Sequence, residues 1–255
     1  AYKDNFSYDL AITSFHKNLS ALTPASGIII KNKKIDTKEI RRNMAIFQTS
    51  SPSYLISGSI DDMIDKFPNF FDLWDDLVEN LNSLYQTRLK NLKFINSKNK
   101  DISKILISCK NTNINGNDLA DLLYKEKIEI EMASATYVIL ISSIFDTKEG
   151  FDRLKNALIK IDKKIKYKKS DFSFDFVECE KKYSISESFL KENHLDKIEK
   201  SQGKISAAYV YAYPPGIPLL IPGEIINQKI IDQIKYLDSI GFDLSLDDSS
   251  IPLIN

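Results

Sequence analysis

Apolar residues near the start of the chain form two short runs with a polar turn between them. The first run is Leu10-Ala11-Ile12, and the second is Gly27-Ile28-Ile29-Ile30. Short apolar runs bounded by turn-forming residues are typical of buried strands, so both runs are predicted to be β-strands. The hydroxyl-rich turn that holds Ser14 to Lys17 is therefore expected between two strands.

Three helices are predicted in the residues that follow. Asp36-Thr37 with Glu39 resembles a capping box, and Ser51-Pro52 indicates a second helix start with the proline in the first turn. A third, long amphipathic helix has one apolar face. That face consists of Phe70, Leu73, Leu77, Leu81 and Leu84.

Strands and helices alternate in the middle of the chain. The predicted strands are Ile105–Ser108, Ile128–Ile130 and Tyr137–Ile141. Two helices lie among and after them, the second capped by Thr147. Their inward positions are Leu119, Leu122 and Leu123 in the first, and Phe151, Leu154, Leu158 and Ile161 in the second. This alternation predicts an α/β or α+β unit of about a hundred residues.

The last third of the chain begins with a basic run from Asp162 to Lys169. Such runs are usually solvated, so a linker at a domain boundary is predicted there, with contact to phosphate backbones as the alternative. Prolines and glycines then make Tyr211–Glu224 a stiff loop. A final helix buries Ile230, Ile234 and Leu237 and stops at Gly241.

The amino-acid composition argues against nucleic acid, membranes and metal ions as partners. The 255 residues carry 35 basic and 35 acidic side chains, so no net charge attracts nucleic acid or an anionic membrane. Two cysteines without CxxC spacing and two histidines predict neither a disulfide framework nor a metal site. The sequence has no apolar run of spanning length and no signal-like start. A soluble, cytoplasmic protein with no nucleic-acid or membrane partner is expected.

Ser14-Phe15-His16-Lys17 is the segment with the clearest chemical meaning. A lysine that forms a Schiff base needs a place where its ammonium can lose a proton, and imidazole and hydroxyl groups nearby supply proton relays and phosphate ligands. The sequence therefore suggests Lys17 as a candidate for carrying pyridoxal phosphate. A solvated surface lysine is the alternative.

Three stretches resemble the bacterial-type ornithine/lysine/arginine decarboxylases, which use pyridoxal phosphate on an aspartate-aminotransferase-like fold. They are Ser14–Thr23, Gln48–Leu55 and the rigid loop Tyr213–Glu224. Gly116–Leu123 and Asp146–Phe151 add support, and the order and spacing agree along nearly the whole chain.

The resemblance implies an α/β protein with three parts. Residues 1–98 are expected to be the remainder of the cofactor-binding large domain of fold type I, with the lysine segment and a long connecting helix. Residues 99–165 would form a small α+β subdomain, and residues 166–255 a C-terminal decarboxylase domain with the proline-rich loop. Family members carry a long segment before the lysine, so the chain is expected to be a C-terminal portion that needs a missing N-terminal half. Ala1–Phe6 would follow the acidic partner of the pyridine nitrogen.

The function implied is the decarboxylation of arginine, lysine or ornithine to the corresponding amine, in polyamine metabolism. Lys17 would carry pyridoxal phosphate as a Schiff base. His16 would lie beside the cofactor as a proton donor or hydrogen-bonding group, and Ser14 would bind the phosphate.

Sites of this family lie at a dimer interface, so the resemblance also implies a homodimer or a higher homo-oligomer. Thr49 or Ser50 would then reach the phosphate of the neighbouring subunit. Glu224 would face the mouth of the site and attract a cationic amino acid. From the residues alone, these side chains could equally cap turns or helix starts.

Two other functions stay open. The first is a non-catalytic role, in which the domain serves assembly or regulation. Transamination is the other, and it requires an arginine clamp for a second carboxylate. The four arginines, Arg41, Arg42, Arg88 and Arg153, lie near none of the motifs, which disfavours transamination.

Overall fold

Spatial contacts divide the chain into two units, and each is described by itself. The structure is a computed structural model that describes residues 8–97, 100–170, 177–213 and 216–255. One unit contains the described residues up to Thr87 together with Asp101–Ser103 and Ile141–Asp152, and the other contains the remainder. The three-part division expected from the resemblance stays a prediction. Residues 98–99, at its first boundary, and the Ala1–Phe6 segment lie outside the described residues.

The two predicted strands around the lysine segment are confirmed as strands, but their predicted burial is wrong, because neither strand contains a buried residue and Ile12 is 74% exposed. Strand β1 spans Leu10–Ser14 and strand β2 spans Ser26–Ile30. They pair antiparallel, so that Ser14 lies opposite Ser26. A single helical turn, α1 (Phe15–Asn18), and a short loop connect them. The polar turn thus projects from one end of a two-stranded ladder.

Two amphipathic helices follow. Helix α2 spans Thr37–Phe47, and Asp36 caps its start, as the sequence predicts. The Asp36 carboxylate accepts from the Lys38 N–H rather than from the Glu39 N–H that a capping box would use. Helix α3 spans Tyr54–Lys66. The predicted start at Ser51-Pro52 is wrong, because the Ser53 hydroxyl is the cap and accepts from the Ile56 N–H, which leaves Pro52 outside the helix.

Helix α4 (Phe70–Tyr85) is the predicted long helix, and a short 3₁₀ turn, Phe67–Asn69, leads into it. Its spacing of apolar residues follows the 3.6-residue period, so one face turns inward. The buried members of that face are Phe70, Leu77, Leu81 and Leu84. The Phe70 ring also meets the Phe145 ring edge-on, with centroids 5.3 Å apart.

The second unit contains a four-stranded sheet with the order β3-β4-β6-β5. The strands are β3 (Lys93–Phe94), β4 (Lys104–Ser108), β5 (Met132–Ser134) and β6 (Tyr137–Ile141). The predicted strand at Ile128–Ile130 is wrong. The Ile128 N–H still bonds back to the Leu123 carbonyl, and pairing with β6 begins only at the Glu131 N–H, which donates to Ile139.

Two helices accompany this sheet in the sequence. Helix α5 spans Gly116–Lys125 and begins with a capping box between Asn115 and Asp118. Helix α6 spans Lys148–Lys164, and the Thr147 hydroxyl accepts from the Gly150 N–H at its start, as predicted. Buried side chains lie on the predicted faces of both helices. They are Leu119 and Leu123 in α5, and Phe151, Leu154, Leu158 and Ile161 in α6.

A buried carboxylate fastens the loop before β3 to α6. The Asp162 side chain is 6% exposed and accepts hydrogen bonds from three consecutive backbone N–H groups, those of Lys90, Asn91 and Leu92, at 2.7 to 2.8 Å. The Asn91 amide returns hydrogen bonds to the Asp162 and Ile165 carbonyls. A buried charge is tolerated here because several donors solvate it.

The lysines of the basic run are solvated, as predicted, but the run is not a free linker, because its backbone is hydrogen-bonded to the loop after β4. The Lys166 N–H donates to the Asn113 side chain (2.6 Å), and the Asn113 N–H donates to the Lys166 carbonyl (3.0 Å). The Lys168 N–H donates to the Asn111 carbonyl at 3.0 Å. The lysine side chains face water while their backbone is tied to the loop after β4.

The C-terminal residues form two small sheets packed around one helix. Their orders are β10-β8-β9 and β11-β7. Buried Ile230, Ile231 and Ile234 of the helix meet Val210 and Leu253 of the strands. The elements are α7 (Ile185–Phe189), β7 (Asn193–Lys197), a 3₁₀ turn (Ile198–Lys200), β8 (Val210–Tyr213), β9 (Pro218–Leu220), α8 (Gln228–Ser239), β10 (Asp243–Leu244) and β11 (Ser250–Ile254).

None of the helices in the described part of the chain combines the length and the apolar character that crossing a bilayer requires.

We predict that Asp162→Asn lowers the free energy of unfolding by about 3 kcal/mol, because an amide turns an N–H₂ group toward buried donors that the carboxylate satisfied. Urea unfolding measures the change. Asp152→Asn, on an exposed position of the same helix, removes the same charge and is expected to change stability by no more than about 0.5 kcal/mol. Equal effects of the two variants would contradict the role given to Asp162.

Candidate active site

The lysine segment occupies the connection between β1 and β2. Ser14 ends β1 and precedes the turn of α1, and its side chain makes no capping hydrogen bond to that turn. His16 is half-buried and Lys17 is exposed. The structure therefore brings Ser14, His16 and Lys17 together, as nearby positions at the end of one ladder.

A single carbonyl oxygen organises this turn. The Ala25 carbonyl accepts hydrogen bonds from the Phe15 N–H (3.0 Å), the His16 N–H (3.4 Å) and the His16 ring Nδ1 (2.8 Å). A carbonyl oxygen can only accept, so Nδ1 of His16 carries a proton in this arrangement. In the neutral ring, Nε2 is then the acceptor atom that remains for other groups.

The Phe15 ring lies directly against the backbone of β2 at Gly27. A Cβ atom added at Gly27 would lie 2.5 Å from Cζ and 2.8 Å from Cε2 of that ring. Both separations are far below van der Waals contact, so a side chain at position 27 fits only if the ring shifts from its present place. Sequence reasoning missed this role of Gly27, although a lone glycine at the start of an isoleucine strand is a known sign of close approach.

The loop from Leu19 to Ala25 is tied to α3. The Leu22 N–H donates to the Ser59 hydroxyl (3.0 Å), and that hydroxyl donates to the Ile56 carbonyl (2.7 Å). Within the loop, the Ala25 N–H donates to the Leu22 carbonyl at 2.8 Å. No sequence pattern pointed to Ser59, because its contact joins positions 37 residues apart.

Thr49 and Ser50 lie in the connection between α2 and α3, with both side chains exposed. The Thr49 hydroxyl accepts a hydrogen bond from the Ser51 N–H at 3.2 Å. This is the local turn contact that the sequence offered as the alternative to phosphate binding. The phosphate role of the two hydroxyls stays a prediction.

Glu224 belongs to the second unit, at the end of the segment Tyr211–Glu224. The prediction that this whole segment is a loop is wrong, because most of β8 and all of β9 lie within it and pair antiparallel. Its Oε2 accepts a hydrogen bond from the Ile221 N–H (2.9 Å), and its backbone pairs with Lys181. Gly223, at φ +91°, lies so close to the Tyr183 backbone that no side chain fits there. Pro214 and Pro215 of the predicted loop lie outside the described residues.

The two thiols differ in their surroundings. Burial raises the pKa of the Cys109 thiol to about 12. Partial burial raises the pKa of Cys179, and the negative charge of Glu224 raises it further. Neither thiol is activated as a nucleophile, since both shifts favour the protonated form.

The residues at the end of the β1–β2 ladder fit an aldehyde cofactor that carries a phosphate. Lys17 offers an exposed primary amine, which is the group that condenses with an aldehyde. The Ser14 hydroxyl is not used in capping, and a hydroxyl is a suitable phosphate ligand. His16 offers an oriented Nε2 one residue from the amine. This donor set agrees with pyridoxal phosphate.

Two family models match the chain. Residues 4–108 match the model described as Orn/Lys/Arg decarboxylase, major domain, and residues 176–242 match Orn/Lys/Arg decarboxylase, C-terminal domain. The first match contains the whole lysine segment, and the second contains Glu224 and most of the C-terminal elements.

Curated relatives are similar over most of the chain. An arginine decarboxylase of Halalkalibacterium halodurans is 29% identical over 91% of this chain and 51% of that protein. An arginine decarboxylase of Bacillus subtilis is 24% identical over 91% of this chain and 51% of that protein. The chain thus spans about half the length of the curated relatives it matches.

Solved structures agree in fold. A lysine decarboxylase of Francisella novicida superimposes with a TM-score of 0.76 at 16% identity, over 96% of this chain and 49% of that one. The constitutive lysine decarboxylase of Escherichia coli gives 0.74 at 16% identity, with the same coverage of each chain. The chain therefore has the mixed α/β fold of a decarboxylase.

We predict that Glu224→Gln makes Cys179 react faster with iodoacetamide at pH 8. Removing the carboxylate charge lowers the pKa of the thiol, so more of it is thiolate, and the pH–rate profile moves to lower pH. Mass spectrometry of the alkylated peptide measures the rate at Cys179, and Cys109 serves as the unreactive internal reference. Glu180→Gln is the matched control and is expected to leave the profile in place. Identical pH–rate profiles for wild type and Glu224→Gln would contradict an effect of the Glu224 charge on the Cys179 thiol.

Proposed function

Because the chain belongs to the ornithine/lysine/arginine decarboxylase family, we propose that it takes part in the decarboxylation of a basic amino acid with pyridoxal phosphate held on Lys17. The observation that carries this proposal is the presentation of Lys17, exposed beside an imidazole that the Ala25 carbonyl orients. Arginine or lysine, the substrates named for its relatives, are the proposed substrates, with ornithine as a third candidate. The amine product would enter polyamine metabolism. The cytoplasmic location stays a prediction.

We further propose that residues 1–98 belong to a large domain of fold type I, residues 99–165 to a small α+β subdomain, and residues 166–255 to a C-terminal decarboxylase domain. The two separate family matches, to a major domain and to a C-terminal domain, support this order along the chain. We propose that the groups that stack on the pyridine ring and neutralise its nitrogen belong to the N-terminal half of the larger enzyme, outside residues 1–255.

In this proposal, the side chain of Lys17 holds the cofactor covalently through Nζ, and the Ser14 hydroxyl donates a hydrogen bond to its phosphate. When bound, pyridoxal phosphate supplies an electron sink for the pair left on Cα as carbon dioxide departs. Released from the cofactor, the Lys17 amine can hold a proton and return it to Cα. His16 presents Nε2, because its Nδ1–H group donates to the Ala25 carbonyl.

The Glu224 carboxylate is proposed to attract the cationic amino acid. Its Oε2 is fixed by the Ile221 N–H, which holds the side chain in one orientation. A carboxylate has acceptor sites on both oxygens, so Oε1 is available for a substrate cation. A fixed charge of this kind favours a basic amino acid over a neutral one.

A second copy of the chain is the proposed partner. Helix α2 has no buried residue, and large apolar side chains on α2, on α3, in the turn before α4 and at the start of α4 are exposed. An apolar surface of this extent is typical of a face that is covered in the assembled protein. Thr49 and Ser50 are exposed in the connection between α2 and α3, which supports their proposed contact with a neighbouring subunit's cofactor. The exposed side chains are Ile46, Phe47, Tyr54, Leu55, Ile64, Phe67 and Phe71.

Attachment of the cofactor to Lys17 is directly testable. The protein mixed with pyridoxal phosphate should develop the absorbance of a protonated imine, and borohydride should fix the pyridoxyl group on the peptide that contains Lys17. Lys17→Ala should abolish both signals, because alanine has no amine to condense with the aldehyde at this turn. Lys33→Ala, at an exposed lysine outside the turn, is the control and should retain them.

Release of carbon dioxide from arginine, lysine and ornithine then tests the reaction. Turnover that survives Lys17→Ala would contradict the assignment of Lys17. An adduct on Lys17 without turnover of any of the three amino acids would favour the alternative, a non-catalytic role in assembly. The exposed apolar face of α2 and α3 is the observation that favours that alternative.

Self-association is expected to depend on the exposed face of α2. Phe47 is 87% exposed, and burying such a side chain contributes about 2 kcal/mol, so Phe47→Glu should raise the dissociation constant of the homodimer by about thirtyfold or more. Light scattering over a concentration series measures it. Ala45→Glu adds the same charge on the opposite side of α2 and should leave the constant nearly unchanged. A monomeric wild type would contradict the proposed dimer.

A further inference from the structure

We infer that Gly27 and Ser59, which lie outside the lysine segment, are positioning residues for the Lys17 site. The inference rests on the proposed function, because the site they serve is the one that would hold pyridoxal phosphate. Gly27 acts through the Phe15 ring, and Ser59 acts through the Ala25 carbonyl. Together they fix the two residues that precede Lys17.

The His16 imidazole is fixed by the bond from Nδ1 to the Ala25 carbonyl. The direction of Nε2 and the tautomer of the ring therefore depend on where that oxygen lies. Ala25 is 2% exposed, so water does not replace this acceptor while the loop keeps its shape. Whatever holds the Ala25 carbonyl in place also holds the imidazole.

Hydrogen bonds from α3 hold the loop that carries the Ala25 carbonyl. The Ala25 N–H donates to the Leu22 carbonyl, and the Leu22 N–H donates to the Ser59 hydroxyl. Since the hydroxyl proton of Ser59 is directed to the Ile56 carbonyl, its lone pair faces Leu22. A chain of hydrogen bonds thus extends from α3 to the imidazole, and the Ser59 hydroxyl is the side-chain group that anchors it to the helix.

The Phe15 ring joins the turn to β2. Phe15 precedes His16, and its ring occupies the space that a side chain at residue 27 would fill. With a methyl group there, the ring must leave the β2 backbone. In the variant we expect the shift of the ring to pull on the Phe15 backbone, and because Phe15, His16 and Lys17 share the single turn α1, that shift is expected to reach the Lys17 amine.

The chain offers a matched control for each position. Gly58, on α3, has open space where a Cβ atom would lie, so Gly58→Ala adds the same methyl group without a clash. Ser57 is an exposed serine of the same helix, so Ser57→Ala removes a hydroxyl that does not hold the loop. Comparison of each variant with its control separates positioning from general effects on α3.

The tautomer of His16 can be measured without the cofactor. Long-range proton–nitrogen spectra report which ring nitrogen of His16 carries the proton, and His194→Gln assigns the signal because the chain has only two histidines. Wild type, Gly58→Ala and Ser57→Ala should show the proton on Nδ1. Gly27→Ala and Ser59→Ala should show a mixture of tautomers. A wild-type ring protonated on Nε2 in its neutral form would overturn the inference.

The rate at which pyridoxal phosphate attaches to Lys17 is the second readout. A displacement near 1 Å lowers such a rate by about ten- to hundredfold, which is the effect expected for Gly27→Ala and Ser59→Ala. The control variants should stay within about twofold of wild type. Rates for Gly27→Ala and Ser59→Ala equal to those of their controls would overturn the inference. Failure of the wild type to attach the cofactor would contradict the proposed function, while the spectra of His16 still decide the positioning role.

A compensating variant distinguishes the clash between the Phe15 ring and residue 27 from misfolding as the cause of a lower attachment rate. Phe15→Leu removes ring atoms that meet the added methyl group, so the double variant Phe15→Leu/Gly27→Ala should recover most of the attachment rate and the Nδ1 tautomer lost in Gly27→Ala. Thermal unfolding of all variants shows whether their stability differs. No recovery in a folded double variant would contradict the contact between the ring and residue 27 as the cause.

Discussion

The Ala25 carbonyl oxygen determines how the lysine segment is presented. It accepts hydrogen bonds from two backbone N–H groups and from the His16 ring. The pairing of β1 with β2 ends at Ser14 and Ser26, and beyond that point this one buried oxygen is the acceptor for the donors of the turn. Without that acceptor, three donors at the turn would need other partners. The exposed position of Lys17 and the tautomer of its neighbour are both consequences of this oxygen.

In the second unit, too, single polar groups accept hydrogen bonds from the backbone of irregular segments. Asp162 satisfies three successive N–H groups before β3, and the Asn111 and Asn113 groups satisfy the backbone of the basic run. In each case a polar group from a distant part of the sequence fixes a segment that has no regular secondary structure. The Glu224 carboxylate does this locally when it accepts from the Ile221 N–H. Loops held in this way keep functional side chains in one orientation.

Much of the fold could be predicted because it follows periodic patterns. The apolar runs predicted β1, β2, β4 and β6, and the 3.6-residue spacing predicted α4, α6 and α8. Errors occurred where a pattern was short. Ile128–Ile130 alternates like a strand, but its backbone is used by the C-terminal turn of α5.

The candidate site could be predicted only in part. Lys17, His16 and Ser14 were found because their side-chain chemistry is visible in the sequence. The parts played by Ala25 and Ser59 were not predictable, since a backbone carbonyl has no identity in a sequence and a serine on an exposed helix has many equivalents. For Thr49, the structure shows a local turn contact with Ser51, and the contact proposed for Thr49 and Ser50 is with another subunit.

The contact between the Phe15 ring and Gly27 also has an evolutionary consequence. Position 27 cannot accept a side chain while position 15 keeps its aromatic ring in place, because the space is shared. A side chain at position 27 becomes acceptable only after position 15 has become smaller. Among related chains these two positions should therefore vary together, and glycine at 27 should accompany an aromatic residue at 15.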